Sequence, residues 1–235
     1  MTATKNRIEE NGLADKPSSL FELEKLRIKV IGITPLLCAN PSSMTPESDA
    51  GSRSKKKDDT SPEAVARRAA YIDADGECCF PNVALFSAIL TASELMKLKI
   101  GTGRMAPAAA TYIRAGLTFD YETKMAKICN PATNKPYKAG DYEIDMQRAV
   151  NQNTGGAVVA IRPRFDKWTA TFNLLIDSSN TALMQVVDKY FDDIMRFAGM
   201  SVGIGAFRAY VKPKGKMAKQ AAGGPYGKFK ATIID

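Results

Sequence analysis

Histidine is missing from all 235 residues. That removes the usual general base near neutral pH, the usual partner of a nucleophilic serine or cysteine, and the commonest metal ligand. Carboxylate or lysine chemistry remains open, but no arrangement of those residues argues for it. Cysteine is scarce too, and the four present are Cys38, Cys78, Cys79 and Cys129. Two are adjacent and none forms a CxxC pair, so a zinc site would need all four thiolates at poor spacing. The expectation is no metal, no cofactor, and free thiols in a reducing cytoplasm. No apolar run approaches the ~20 residues needed to span a bilayer, and no signal peptide is visible. No membrane partner is expected.

Acidic residues are absent from one long stretch. Between Ser201 and Ile234 the basic residues are Arg208, Lys212, Lys214, Lys216, Lys219, Lys228 and Lys230, with no Asp or Glu among them. The whole chain carries 33 basic against 25 acidic side chains, a net +8. A like-charge block of this kind is a solvated or interacting surface, and it favours a polyanion. The bland alternative is a lysine-rich solubilising loop. The block is punctuated by glycine at Gly203-Ile-Gly205 and again at Gly223-Gly-Pro-Tyr-Gly-Lys-Phe229. Glycine lets a backbone pass close to a ligand, because no Cβ intervenes and positive φ is allowed.

The length suits one core with insertions. Residues 1–24 read as a polar arm. Leu26 to Ile33 alternates and predicts a first strand, ended by Thr34-Pro35. Residues 39–62 lack apolar periodicity and form a long loop. Ser61-Pro62-Glu63 predicts a helix start, with the helix running from Glu63 to Ala70. Tyr71 to Phe80 predicts a small hairpin turning at Asp75-Gly76. Pro81 to about Lys97 has apolar residues at helical spacing. Ala108 to Arg114 is a short helical or extended piece, and Gly116 to Tyr121 a second strand.

Residues 122–157 read as loop-rich. Tyr142–Val150 and Ala157–Phe165 predict a protruding hairpin. Trp168 to Asp177 is the strongest strand signal, and Ser179-Asn180 caps a helix from Thr181 to about Ala198. A last strand runs from Tyr226 to Ile234. Stripped of insertions at about 39–80 and 122–165, the order is strand, helix, strand, strand, helix, strand. The predicted class is α+β, with a ferredoxin-like or RRM-like βαββαβ core over residues 25–235 and one sheet face free to bind.

Three local features resemble the RAMP superfamily, RNA-recognition-like proteins that include the repeated backbone subunits of CRISPR effector complexes. They are the first strand running into Ile33-Thr-Pro-Leu-Leu37, the segment Phe80-Pro-Asn-Val-Ala-Leu-Phe-Ser-Ala-Ile-Leu90, and the C-terminal glycine-rich turns. The chain also resembles a group of uncharacterised phage proteins over most of residues 26–234, including the Arg162-Pro-Arg-Phe and Trp168-Thr-Ala-Thr-Phe172 block. It departs from the superfamily at Asn82, where glycine is frequent. The resemblance implies guide-RNA binding and assembly with copies of itself, with other effector or phage replication subunits as further partners. RNA-cleaving backbone subunits use an aspartate in a loop after the first strand. Asp49, Asp58 and Asp59 lie in such a loop here, and no spacing selects one.

The candidate nucleic-acid-binding residues are Arg208, Lys212 and Lys214 beside the glycines Gly203 and Gly205. Next come Arg162 and Arg164, which share a strand face across Pro163, then Arg148, and then Lys97 and Arg104 around Gly101-Thr-Gly103. Arg162 and Arg164 have a competing reading as ion-pair partners of Asp166 or Glu143. Trp168 and Phe172 could stack on bases, although core is the favoured reading. No catalytic residue is assigned. The leading expectation is a non-catalytic binder of single-stranded RNA or DNA that oligomerises along the strand. The alternatives are a phage single-stranded DNA-binding or recombination factor, a metal-independent RNA endonuclease, and a protein-interaction module with a basic surface.

Overall fold

A computed structural model describes residues 22–41, 60–103, 105–150, 156–210 and 223–234. Lys212, Lys214, Arg104 and the loop aspartates Asp49, Asp58 and Asp59 lie outside the described residues, as does the arm up to residue 21.

The molecule is a mixed α+β fold built on antiparallel pairing. Strand β1 (Leu23–Gly32) alternates, with Ile28 and Val30 turned inward and Arg27 and Lys29 outward. Such a period-2 pattern buries one sheet face and wets the other. Strand β9 (Thr169–Asp177) pairs with β1 and buries Ala170, Phe172, Leu174 and Ile176 on the same side. Strand β5 (Leu117–Phe119) adds to the far side of β9, and β10 (Phe229–Ile234) to the far side of β1. The resulting four-stranded sheet has the order β10-β1-β9-β5.

Three helices cover the inner face. They are α2 (Asn82–Met96), α3 (Ala109–Gly116) and α4 (Thr181–Phe197). Leu85, Ile89, Ile113, Leu183, Val186, Phe191 and Ile194 join the strand residues in one apolar cluster. Helix α4 begins where expected because the Asn180 side chain accepts a hydrogen bond from the Leu183 N–H (3.1 Å), satisfying a donor that the first turn leaves unpaired. It runs on into a π-helical turn, Ala198–Val202. Trp168 and Phe172 are core residues, each fully buried, and the Trp168 indole N–H donates to the Thr34 carbonyl (2.9 Å).

The insertions form two smaller sheets. Strands β7 (Glu143–Val150) and β8 (Ala157–Phe165) make the expected hairpin, and β2 (Leu36–Leu37) ties its base to the end of β1. Helix α1 (Pro62–Ala69) packs on β8, with the Ser61 hydroxyl capping the Ala64 N–H. Strands β3 (Tyr71–Ile72) and β4 (Cys78–Pro81) pair through a turn at Asp75-Gly76, and β4 pairs on its other side with β6 (Met125–Lys127). Strand β6 falls in a stretch read as loop, because three residues are too short to show a period. The segment at Ala108 is helical rather than extended. Strand β1 starts at Leu23, inside the proposed arm, since the Glu22 carbonyl already accepts from the Ser178 N–H (2.8 Å).

Candidate nucleic-acid interface

The outward face of the four-stranded sheet is basic. Its alternate positions on β1 are Lys25, Arg27, Lys29 and Ile31. The register sets Arg27 between Asn173 and Ile234, Lys29 between Thr171 and Thr232, and Ile31 between Thr169 and Lys230. Cations therefore run down the central strand, with small polar side chains beside them and Lys230 on the edge. Arg27, Lys29 and Lys230 are all exposed. Lys29 and Lys230 make no ion pair among the described residues. Lys25 is different: its ammonium lies 3.3 Å from Asp120 and 3.9 Å from Glu122.

Asp120 closes that end of the stripe. It is buried, and its carboxylate accepts from the Thr123 hydroxyl (2.8 Å) and the Glu122 N–H (2.9 Å). These bonds, the Thr123 hydroxyl foremost, hold its carboxyl below the ordinary carboxylate range, with Lys25 adding to the effect. The ionised form is the one that these donors favour. The exposed stripe is Arg27, Lys29 and Lys230, bounded by the corner where Lys25 pairs with Asp120.

At its other end β1 feeds a backbone junction. Three chain segments meet there: residues 33–38, 203–210 and 223–228. The Ile33 N–H donates to the Lys228 carbonyl (2.8 Å), the Gly227 N–H to the Pro35 carbonyl (2.8 Å) and the Ala206 N–H to the Leu37 carbonyl (2.8 Å). A Cβ on Gly227 would lie 1.7 Å from the Ile204 carbonyl oxygen, and its φ is +69°. Gly205, at φ +87°, faces the Leu37 carbonyl oxygen, 2.6 Å from where its Cβ would be. Gly203 is buried against the carbonyls of Tyr226 and Gly227. At all three, glycine admits another stretch of the same backbone, a use that the sequence does not distinguish from approach to a ligand.

The junction gathers three of the expected arginines. The Arg162 guanidinium lies over the Phe207 ring, 5.4 Å from its centroid, and stands across the ladder from Asp145. Arg164 Nε donates to Asp166 Oδ1 (2.6 Å) and faces Glu143 across the ladder. Arg208 Nε donates to the Tyr210 carbonyl (3.1 Å). Burial lowers the pKa of Arg162 and of Arg208, though guanidinium stays charged at any ordinary pH. Buried Arg162 Nε and Asp145 Oδ2 have no hydrogen-bond partner.

The remaining described candidates lie apart. Arg148 is exposed on β7, on the hairpin face opposite to Arg162 and Arg164. Lys97 is exposed at the end of α2, in a left-handed conformation (φ 52°). Sequence reasoning missed Arg27, Lys29 and Lys230 as site residues. The available signal was the alternation of β1 itself, whose polar positions are nearly all basic.

Elsewhere, Asp73, Asp75 and Glu77 bring three carboxylates together in the β3–β4 turn. The Lys127 ammonium already sits among them, 2.5 Å from Glu77, 3.8 Å from Asp73 and 3.9 Å from Asp75. Burial pushes the Cys78 thiol up to about 12 and the Cys79 thiol to about 11. Cys38 is raised as well, by burial first and by those two thiols next. The protonated thiol is neither nucleophile nor metal ligand.

No protein-family model matches the chain, and no curated protein matches it.

Proposed function

We propose that this chain is a non-catalytic binder of single-stranded nucleic acid, gripping phosphates on the open face of its four-stranded sheet. The observation that carries the reading is the exposed cationic stripe of Arg27, Lys29 and Lys230, bordered by Thr171, Asn173 and Thr232. A row of exposed cations on a flat, polar surface suits a polyanion. The described part of that face has no aromatic side chain on β1 or β10. Base stacking there is therefore not the source of affinity, and binding is expected to be sequence-tolerant and steeply salt-dependent.

The core is read as ferredoxin-like. Counting only the strands of the main sheet, their order is fourth-first-third-second, with helices between first and second and between third and fourth. This agrees with a βαββαβ chain whose helices lie on one face, with α3 as an additional helix after α2 in the first crossover. Within that reading, the hairpin β7–β8 belongs to the second insertion, and the glycine-rich junction is the turn before the last strand that resembles the one in RAMP-like, CRISPR backbone-like subunits. Copies would assemble side by side along the strand. Among the described residues no helix is long and apolar enough to cross a membrane.

The test is fluorescence anisotropy with labelled oligouridylate and oligodeoxythymidylate, on protein first treated with nuclease and high salt. Binding of either at low salt, weakening as salt rises, is the expected result. Failure to bind both at low salt overturns the reading and leaves an acidic protein as the partner of the stripe. A discrete RNA protected in the untreated protein would favour guided assembly over a phage single-stranded DNA-binding role.

A further inference from the structure

The four-stranded sheet ends in an unpaired edge. Among the described residues β10 bonds to β1 on one side and to no strand on the other. The ladder fixes which groups face outward. The Ile33 N–H donates to the Lys228 carbonyl, and the register continues through Gly32 opposite Phe229. Bonded and non-bonded pairs alternate along an antiparallel ladder. Lys230, Thr232 and Ile234 therefore turn their backbone groups toward β1. Phe229, Ala231 and Ile233 turn theirs away. The Phe229 carbonyl meets the π-helical turn, where a Cβ on Gly199 would lie 2.1 Å from its oxygen. The N–H and C=O groups of Ala231 and Ile233 are left facing outward.

An apolar groove of about 660 Å³ runs along this edge, between β10 and α4. Met195, Met200 and Ile233 line it, and Met200 and Ile233 are 45% and 42% exposed. Asp192 and Arg196, one helical turn apart on α4, line its rim. An exposed strand edge with apolar flanks is a template for another strand.

We infer that β10 pairs antiparallel with β10 of a second copy of this chain across a two-fold axis through Thr232. This inference does not depend on the nucleic-acid reading, because it rests on the edge alone. The register is self-complementary on every count. Centring on Thr232 sets Ala231 opposite Ile233 of the second copy, so the outward backbone groups bond to each other. On the helix side those two apolar side chains meet over the groove. On the open face Lys230 meets Ile234 rather than Lys230, which keeps like charges apart. The same axis runs the two α4 helices antiparallel, so the acidic Asp192 of one copy faces the basic Arg196 of the other, whose guanidinium also holds Asp193 of its own helix (2.6 Å). A two-fold contact requires one patch to complement itself, and a patch holding both signs does so. The dimer would join two sheets into one and extend the basic face across the axis.

The test is the mass of the full chain by light scattering in high salt, free of nucleic acid, across a concentration series. The expected result is a shift from the 25.5 kDa of one chain toward twice that mass as concentration rises. Ile233→Pro removes one outward N–H without touching the bonds to β1, a position where a strand tolerates proline. It is expected to stay folded by circular dichroism and to remain monomeric. Asp192→Arg, a surface change that does not touch the strand, is expected to weaken the dimer, and adding Arg196→Asp to restore it. A wild-type monomer at every concentration overturns the inference and leaves the edge to a strand of a different protein. A folded Ile233→Pro variant that dimerises like wild type overturns it equally.

Discussion

Arg27 on β1 and Arg162 on β8 are both strand arginines flanked by inward apolar residues, yet the fold treats them oppositely. Arg27 and its neighbour Lys29 stand exposed on an open sheet face. Arg162 is half-buried over Phe207, across the ladder from Asp145. Its strand-mate Arg164 is held by Asp166, and Arg208 bonds a backbone carbonyl. Both groups are basic and both adjoin the glycine-rich junction. The sheet stripe, by contrast, includes exposed cations, Lys29 and Lys230, that make no ion pair among the described residues. A cation already engaged in the folded state must give up contacts before it can hold a phosphate. A solvated cation gives up only water and counterions.

The sharpest way to break this comparison is at the backbone of the junction. Gly227→Ala should destabilise the fold by on the order of 3 kcal/mol, from a left-handed φ and a carbonyl in the path of the new Cβ. Urea unfolding measures it, and a loss under about 0.5 kcal/mol, ordinary for surface substitutions, would mean that the junction is not close-packed. The second test acts on the stripe. Arg27→Ala with Lys29→Ala should weaken oligonucleotide binding roughly a hundredfold, at about 1.5 kcal/mol per charged contact. Stability should change by less than about 0.5 kcal/mol, as is usual for exposed substitutions.

The junction arginines should show the reverse. Arg162→Ala is expected to cost about 1–2 kcal/mol of stability, through the lost ring contact and the loss of the cation that stands across the ladder from the buried Asp145 carboxylate oxygen. Its effect on binding should be small. Arg164→Ala removes a more exposed ion pair, worth about 0.2–1 kcal/mol.

The smallest effect concerns the bounding corner. Asp120 has a depressed folded-state pKa, so its contribution to stability is present above the unfolded-state value. It is lost as pH falls through the folded-state value. Asp120→Asn should therefore flatten the acid limb of a stability-versus-pH curve and leave the neutral limb level. An unchanged acid limb would contradict the Thr123 and Glu122 hydrogen bonds.

Much of the fold was legible because its main elements are long and periodic. The alternation from Leu26 to Ile33, the apolar face of Thr181 to Phe197 and the Asn180 cap each announce a structure that local chemistry already favours. Strand β6 was not legible, since Met125–Lys127 is stabilised by pairing with β4 rather than by its own pattern. The site was harder to read. Arg162 and Arg208 stand out in the sequence beside proline and glycine, but neither residue signals the Phe207 ring or the Tyr210 carbonyl that occupies it. Arg27 and Lys29 look like the ordinary solvent side of an amphipathic strand. They become a site only when β9 and β10 flank them with Thr171, Asn173, Thr232 and Lys230.

The measurement that tests this account most directly is the salt dependence of oligonucleotide binding for three proteins side by side. These are the wild type, the Arg27→Ala/Lys29→Ala variant and the Arg162→Ala variant. For a single strand, each lost phosphate contact should reduce the slope of log affinity against log salt by roughly 0.7. The stripe variant should therefore lose about 1.4 from the slope, while the junction variant keeps the wild-type value. An unchanged slope in the stripe variant, with the loss appearing at Arg162 instead, would contradict the claim that the open sheet face is the binding surface.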